Sequence, residues 1–348
     1  MLAVLAAIVL AVLAVVVEIA RLGGVFRLVD EGSAGSCATV ALGGSAEDIQ
    51  IDRERGLAYL SVLDRASLSR GEHAKGSVML LDLNLAEPAP RAALAYDPAG
   101  FRPHGLSLLA RAGEPVRLFA ISHPADGVHT VEILEREAAG AFVPKETLRD
   151  ALFTHPNAIV AVGPRQFYLA NDTAGGEDSA PVVDAVLRRG NSTIVYYDGV
   201  KARVVASGLR FVAGIATSPD GQRLYVGEAL GEQLRVYQRD GASGALVPGE
   251  VVPLGTAPDN LNVDAEGVVW IGAHPKLFAF LEHLRDAAQR APAQVLRFDP
   301  RAKGARVAQV YASDGSSLSA ASVAAAWRDE FLIGAVLDHQ VLICKTQP

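Results

Sequence analysis

The sequence predicts an all-β fold, a six-bladed β-propeller with an N-terminal hydrophobic helix and a few short surface helices. The main observation is a repeated unit, clearest in residues 256–275. There a polar pair leads into an alternating strand, an acidic-Gly turn and a second apolar strand, the pattern of a hairpin. Five similar units begin at Glu47, His104, Asn157, Ala213 and Ala321. The six units start at intervals of roughly 46 to 62 residues, enough for one four-stranded sheet each, which is typical of a propeller rather than a solenoid.

The first element is an apolar run, residues 1–17, which is closed by Glu18 and Arg21. This run is slightly shorter than the roughly 20 residues that cross a bilayer, although both charged side chains can reach the interface. No Lys or Arg precedes the run and no clear small-x-small cleavage site directly follows it. We therefore favour an uncleaved signal-anchor over a removed signal peptide. Either way the body is exported to the periplasm or extracellular space, membrane-anchored through the N-terminus or, alternatively, secreted.

Two cysteines lie near the ends of the chain, Cys37 before the first repeat and Cys344 close to the C-terminus. A closed propeller brings its ends together, so a disulfide here would latch the ring and contribute about 5 kcal/mol or less in the chain-entropy model. The alternative is two unpaired thiols in a reduced cytosol. The predicted organisation is a signal-anchor or signal peptide (residues 1–21), a linker with the start of ring closure (22–44) and a propeller (45–348).

The remaining elements follow the propeller pattern in order. Residues 172–191 interrupt it with Gly, Ser and Pro, and one or two helical turns are expected at 182–189; such an insertion covers the channel mouth or is a plain surface excursion. In residues 276–291, apolar side chains at helical spacing predict an amphipathic helix that packs on the propeller, with membrane contact as the alternative. Apolar or alternating runs predict strands at 77–84, 116–123, 130–135, 194–205, 234–238, 295–298, 308–312, 331–336 and 340–344.

Composition and motifs exclude several classes of function. The net charge is −7 and no basic cluster is present, so we expect no nucleic-acid partner, because phosphate binding needs concentrated Lys and Arg. The sequence contains no Gly-x-Ser-x-Gly elbow and no His-Glu-x-x-His motif. Their absence weighs against a serine esterase and against a zinc protease.

The repeats also predict a polar site in the central channel. The first strand of each blade lines the channel of a propeller, so the residues just before these strands point toward the axis at one end. Carboxylates, amides and a histidine converge there, and Ca²⁺ takes about 6 to 8 oxygen ligands of this kind. The channel is therefore a candidate calcium site. The converging positions are Glu47, Asp48, His104, Asn157, Ala213, Asp259, Asn260, Ala321 and Ser322.

Several segments together resemble the paraoxonase/arylesterase family of calcium-dependent lactonases. They are GSAEDIQI, FRPHGLSL, SHPADGVHTVEI, NAIVAVGPRQFYLAND, GIATSPDG, DNLNVDAEGVVWIGAHP and the terminal VLIC. The likeness runs from Cys37 to Cys344, in order and with similar gaps. It implies a six-bladed propeller latched by a disulfide between its ends, an uncleaved hydrophobic N-terminus and two calcium ions in the tunnel.

The resemblance also implies roles for individual residues. His104 would activate water with His123 as its partner. Asp48 and the backbone carbonyl of Leu106 would bind a structural calcium. The side-chain ligands of a catalytic calcium would be Glu47, Asn157, Asp259 and Asn260.

Two positions depart from the family's pattern. Ala213 stands where the family has a further asparagine ligand, and Ala158 stands where it has a second carboxylate for the structural ion. Glu47 and Asp259 keep two charges, enough to neutralise one Ca²⁺, and water can replace a missing amide. We therefore expect one calcium at reduced affinity, since Ca²⁺ binding is tuned by ligand charge and number, and leave the second ion open.

The expected function is calcium-dependent hydrolysis of small-molecule lactones and aryl esters. Calcium would polarise the carbonyl and stabilise the oxyanion, while His104 takes a proton from water and His123 relays it. One alternative is a hydrolase of the gluconolactonase or organophosphatase type, because fold alone does not fix the substrate. Another is a membrane-tethered, non-enzymatic binding module with a degenerate calcium site, which Ala213 and Ala158 favour.

Overall fold

The computed structural model describes residues 2–30, 32, 35–173 and 189–346. The helical turns expected at 182–189 lie outside the described residues, apart from residue 189. Within the described part, the strands form six antiparallel four-stranded sheets. The predicted all-β, six-bladed propeller is therefore confirmed.

Each blade consists of four consecutive strands, except that the last blade takes its outer strand from the beginning of the chain. The blades are β2 (Ser45–Asp52), β3 (Leu57–Leu63), β4 (Ser77–Asp82) and β5 (Arg91–Ala92); β6 (Pro103–Leu109), β7 (Arg117–Ser122), β8 (Thr130–Arg136) and β9 (Phe142–Leu148); β10 (Pro156–Ala161), β11 (Phe167–Asn171), β12 (Ser192–Tyr197) and β13 (Ala202–Leu209); β14 (Val212–Thr217), β15 (Arg223–Glu228), β16 (Gln233–Arg239) and β17 (Leu246–Pro253); β18 (Ala257–Val263), β19 (Val269–His274), β20 (Ala293–Phe298) and β21 (Val307–Ser313); and β22 (Ala321–Trp327), β23 (Glu330–Ala335), β24 (Gln340–Lys345) and β1 (Cys37–Ala41).

The core lies between blades rather than at the centre of the ring. The innermost strands β2, β6, β10, β14, β18 and β22 contact one another in that order, and β22 returns to β2. Each large apolar cluster joins two neighbouring blades. Tyr59 of the first blade, for example, meets Phe142 of the second edge to face at 5.1 Å. Because each sheet buries both faces, burial of a large side chain contributes about 1.5–3 kcal/mol at these interfaces and holds the channel rigid.

The ring is closed by the two ends of the chain. Strand β1 pairs with β24 and places Cys37 directly opposite Cys344. The two cysteines form a disulfide that joins positions 307 residues apart. The predicted latch between the ends of the propeller is confirmed.

Helix α1 (Leu2–Leu22) contains the apolar N-terminal run and continues past it. Residues 3–22 are long and apolar enough to cross a membrane, with a mean hydropathy of 2.9 and no burial against the propeller. The C-terminal end of α1 docks on the propeller, because Arg21 donates to Glu232 at 2.9 Å and Arg27 does so at 2.8 Å. A side chain at Gly23 would collide with the Phe278 ring, which explains the glycine there.

Two short helices and a 3₁₀ turn lie between strands. Helix α2 (Arg65–Ser69) follows β3, and the 3₁₀ turn (Ala229–Gly231) follows β15. Helix α3 (Leu277–Arg285) follows β19 and is shorter than the predicted helix, so that Ala288 lies beyond it. It ends because Asp286 is extended (φ −145°) and His283 Nδ1 donates to the Gln289 carbonyl at 2.8 Å, where the chain turns back.

Residues 194–205 do not form one continuous strand. A turn at Asp198 separates β12 from β13, and the Asp198 side chain accepts hydrogen bonds from the backbone N–H groups of Val200 and Lys201, both at 2.9 Å. Gly199 takes a φ of 100°, a conformation that favours glycine. An aspartate that bonds the backbone two residues ahead is a typical turn former.

Candidate active site

Each innermost strand is interrupted by a β-bulge near its beginning, and the polar channel residues lie at these bulges. We expected these residues just before the strands, so their placement within the strands corrects that expectation. A bulge releases residues from the ladder and re-aims their side chains, here toward the channel. The residues skipped by the ladder are Glu47 and Asp48 in β2, His104 and Gly105 in β6, Asn157 in β10, Ala213 in β14, Asp259 and Asn260 in β18, and Ser322 in β22.

The bulges bring together side chains that are distant in sequence. Asn260 Nδ2 donates to Glu47 Oε1 at 2.7 Å and to the Glu47 carbonyl at 3.1 Å. Ser322 donates to the same carbonyl at 2.8 Å. Side chains from two other blades therefore hold Glu47 in place.

Two oxygens at this position lack a hydrogen-bonding partner. Glu47 Oε2 and Asn157 Oδ1 are buried and unpaired, although the other polar atom of each side chain is bonded. Buried unpaired oxygens are costly unless a ligand satisfies them. Together with the buried Asp259 and Asn260, they form an oxygen donor set that suits a hard cation such as Ca²⁺.

The donor set differs from a cluster of acidic and imidazole ligands. In the described part of the chain, no group of three or more His, Cys, Asp or Glu side chains is arranged to hold a metal. The candidate set contains only two carboxylates, from Glu47 and Asp259, and relies on the amides of Asn157 and Asn260. A cation here would need water for its remaining ligands, because Ala213 supplies no oxygen at the bulge of β14.

Asp48 is arranged differently from Glu47. Its Oδ1 accepts a hydrogen bond from the backbone N–H of Ile49 at 2.7 Å, and its Oδ2 accepts one from the N–H of Leu106 at 2.6 Å. Leu106, whose carbonyl the resemblance implies as a ligand of the structural ion, thus bonds to Asp48 through its N–H group. Burial raises the pKa of Asp48 well above its ordinary value, and the nearby Glu47 adds to this effect. With both oxygens bonded to N–H groups and Ala158 without a carboxylate, these residues do not fit a second cation.

The carboxylates of Glu47 and Asp259 differ in the direction of their pKa shifts. Burial acts to raise the pKa of Glu47, but the charges of His104 and Arg65 with hydrogen bonds to the carboxylate bring the pKa below its ordinary value. Burial raises the pKa of Asp259, against the opposing effect of the hydrogen bond from His274 Nε2 at 2.8 Å. The ionised form is therefore favoured at Glu47 and disfavoured at Asp259.

Arg65 supplies positive charge beside Glu47, and it was not among the site residues predicted from the sequence. It lies at the start of α2, donates to the Pro103 carbonyl at 2.7 Å and to Ser45 Oγ at 3.1 Å, and lines the same cavity as Glu47. No motif surrounds it, and its position becomes evident only once β3 and α2 are placed.

His104 and His123 are brought together as predicted. Their ring nitrogens Nδ1 and Nε2 are 2.9 Å apart, and His104 Nε2 lies 3.4 Å from Glu47 Oε1. Burial lowers the pKa of His123 well below its ordinary value, and the neighbouring imidazoles add to this effect. A neutral His123 can accept a hydrogen bond at Nε2 from His104 Nδ1.

A cavity of about 380 Å³ lies above these residues. Polar groups form its floor, namely Glu47, His104, Asn157 and Asp259, while its walls are mainly apolar. Helix α3 contributes four of the wall residues, so the predicted apolar face of this helix points into the cavity. They are Leu277, Phe280, Leu281 and Leu284.

The structure thus defines a six-bladed β-propeller whose channel carries carboxylate and amide oxygens beside a histidine pair. The family model described as Arylesterase matches residues 45–346, and the chain therefore belongs to the arylesterase family. Human serum paraoxonase/arylesterase 1 is 32% identical over 312 residues, which are 86% of this chain and 85% of the human protein. Serum paraoxonase/arylesterase 2 of Gallus gallus is 34% identical over 312 residues, with the same coverage.

Solved structures resemble this chain in fold. One described as a gluconolactonase has a TM-score of 0.56 and 16% identity, and the match covers 91% of this chain and 94% of that one. A luciferin-regenerating enzyme has a TM-score of 0.53 and 11% identity, with coverage of 90% and 98%. At these identities the likeness concerns the propeller fold alone. Family membership and fold together indicate a hydrolase of lactones or esters.

Proposed function

We propose that this protein is a calcium-dependent hydrolase of lactones and aryl esters. The observation that carries the proposal is the pair of buried, unpaired oxygens, Glu47 Oε2 and Asn157 Oδ1, on the floor of a cavity that also contains His104. Glu47, Asn157, Asp259 and Asn260 would hold the ion. A bound calcium would supply Lewis-acid polarisation of the substrate carbonyl and stabilisation of the developing oxyanion.

The protein's own residues supply the proton chemistry. His104 faces the cavity, so its Nε2 accepts a proton from water as the water oxygen attacks the carbonyl carbon. The Glu47 carboxylate, 3.4 Å away, stabilises the imidazolium that forms. His123 Nε2 is hydrogen-bonded to His104 Nδ1, which fixes the orientation of the His104 ring. The same nitrogen of His123 accepts the proton that His104 gives up from Nδ1. No covalent nucleophile is required.

The cavity walls suit a small apolar substrate. Phe280 stacks on His274 at 3.8 Å between ring centres, and the other α3 side chains complete an apolar wall above the polar floor. A lactone or aryl ester would place its carbonyl on the floor and its hydrocarbon part against α3. Burial of that part would exclude water from all but the attacking side.

We also propose that α1 anchors the protein in a membrane with the propeller exported. The helix is exposed along residues 3–17, and its end is fixed to the propeller through Glu232. A disulfide between Cys37 and Cys344 supports an oxidising compartment, since such bonds persist outside the cytosol.

The test is hydrolysis of δ-valerolactone, gluconolactone, phenyl acetate and an organophosphate ester, with calcium and then with chelator. The variant Glu47→Gln removes one of two ligand charges, and Glu54→Gln, whose side chain is exposed on the same blade, is the matched control. We expect lactone and phenyl acetate hydrolysis that chelator and Glu47→Gln abolish and Glu54→Gln preserves. Activity confined to gluconolactone or the organophosphate would support the alternative hydrolases, and calcium binding without turnover would support a binding module.

A further inference from the structure

The histidine pair continues into a longer series of imidazoles. His123 Nδ1 lies 2.8 Å from His129 Nδ1, so both nitrogens of the His123 ring are bonded to other histidines. The His129 ring is in turn 5.8 Å from the ring of His155, which is 48% exposed. The series therefore leads from the cavity floor at His104 toward solvent. His129 and His155 belong to no motif in the sequence and were not among the predicted site residues.

The hydrogen bonds assign one tautomer to each ring when His104 acts as a base. His104 must keep Nε2 unprotonated, so it carries its proton on Nδ1 and donates to His123 Nε2. His123 then carries its proton on Nδ1 and donates to His129 Nδ1. His129 consequently carries its proton on Nε2. One proton on each neutral ring satisfies both contacts. Each hydrogen bond is then donated in the same direction, from His104 toward His129.

The surroundings of His129 also favour movement of a proton outward. His104, His123, His155 and Asp172 face it, and the ring donates a hydrogen bond to the backbone carbonyl of Thr154. Burial lowers the pKa of His129 below its ordinary value, and it lowers that of the more deeply placed His123 much further. A proton on the series is therefore less costly at His129 than at His123.

We propose that His129 is a positioning residue of the hydrolytic reaction, which fixes His123 and carries the reaction's proton from it to solvent. This inference rests on the proposed function. It concerns a residue that acts through His123 and does not touch substrate.

The proton balance closes without a further reactant. The O–H bond of water breaks as its oxygen bonds to the carbonyl carbon, and His104 Nε2 takes the proton. His104 Nδ1 passes its proton to His123 Nε2, and His123 Nδ1 passes its proton to His129 Nδ1. His129 releases its Nε2 proton to solvent. The three rings end neutral with their tautomers exchanged, and the leaving alcohol recovers a proton from the same series in reverse.

The test compares His129→Gln, His129→Ala and the exposed-surface control His73→Gln in the full-length protein, with phenyl acetate and δ-valerolactone as probes. Glutamine can hydrogen-bond to His123 but cannot carry a proton. We expect kcat to fall at least about tenfold in both His129 variants with KM unchanged, because proton transfer by a positioned side chain contributes up to about 10²–10⁴-fold. Free imidazole should restore kcat in His129→Ala, with an efficiency that depends on the pKa of the added base.

Several results would overturn the inference. Full kcat in His129→Gln, or a loss that appears in KM and is not rescued by imidazole, would show a packing role only. A second readout is ¹⁵N NMR of histidine-labelled protein, where we expect His123 protonated on Nδ1; protonation on Nε2 would reverse the proposed direction. A wild-type protein without activity would instead contradict the proposed function, and the NMR result would still decide whether the series is ordered as described.

Discussion

Ala213 is the residue at which the candidate calcium site is weakest. It is buried at the bulge of β14, lines the cavity and carries no oxygen, whereas Asn157 and Asn260 carry amides at the equivalent bulges. Its neighbours Ala229 and Ala257 are also small, so the cavity has room at this point. Any ion bound here would hold water where an amide could be.

We expect Ala213→Asn to increase calcium affinity. A neutral amide would replace a bound water and would be fixed in place by the bulge, so the calcium Kd should fall several-fold, because affinity follows ligand number and site rigidity. Isothermal titration calorimetry measures the effect, with Ala229→Asn on the same cavity wall as the control. Equal affinities in the wild-type protein and in Ala213→Asn would argue against the ion lying at the bulges.

The lowered pKa of His123 predicts a loss of stability in acid. Because the buried ring binds its proton less readily than in the unfolded chain, the unfolded state holds more protons as the pH falls below about 6.5, the ordinary value. Folding free energy is thus lost from about pH 6.5 downward until the folded-state pKa is reached. The thermal midpoint of His123→Gln should change less between pH 7.5 and pH 5 than that of the wild-type protein. The raised pKa of His155 works the other way in both proteins, and a steeper dependence in the variant would contradict the argument.

The sequence identifies a site residue more readily when the residue belongs to one of the six repeats than when it lies outside them. Glu47, Asn157 and Asp259 could be predicted because each occupies the same position of a repeat. Arg65 and His129 lie in connecting segments that occur once, and their proximity to the channel depends on loop paths that no periodicity encodes.

The β-bulges of the innermost strands are the elements that place polar side chains in the channel. An uninterrupted inner strand would alternate its side chains between neighbouring blades, and the two adjacent polar residues Asp259 and Asn260 could not both serve the channel. The repeat predicts the strands, but the bulge is invisible in the hydrophobic pattern, since one or two extra residues resemble the end of a loop. This is why the site residues were expected before the strands.

Helix α3 is expected to set affinity for the apolar part of a substrate. Replacing Phe280 by Ala removes the ring that stacks on His274 and part of the cavity wall. We expect KM for phenyl acetate to rise about tenfold, since one lost aromatic contact costs about 0.5–1.5 kcal/mol beyond its burial. Glu282→Ala, on the exposed face of the same helix, is the control, and a change confined to kcat would show that the wall does not bind substrate.

Glu232 joins the end of α1 to the propeller through two ion pairs. Glu232 accepts hydrogen bonds from Arg21 and Arg27, and each pair contributes up to about 1 kcal/mol. In Glu232→Gln, we expect limited proteolysis to cut the segment between α1 and β1 several-fold faster. Glu250→Gln, which breaks a surface ion pair with Arg306, should leave the cleavage rate unchanged. Equal cleavage in the wild-type protein and Glu232→Gln would mean that other contacts hold the helix.

For the whole molecule, the disulfide fastens the only blade built from both ends of the chain among the described strands. The double variant Cys37→Ser/Cys344→Ser should lose about 5 kcal/mol or less of unfolding free energy, because the bond closes a loop of some 300 residues. Urea unfolding with and without reductant measures this loss. Reductant should lower the midpoint of the wild-type protein and leave the variant unchanged, whereas equal midpoints would show that pairing of β1 with β24 suffices.

Closure of the ring by β1 and β24 also affects how the protein folds during synthesis. Among the described strands, β1 is synthesised first and β24, its partner, is synthesised last. An anchored chain would therefore hold β1 beside the membrane while five blades assemble and the sixth keeps an open edge. Such edges promote association between chains. We therefore expect the yield of closed rings to depend on how soon β24 pairs with β1.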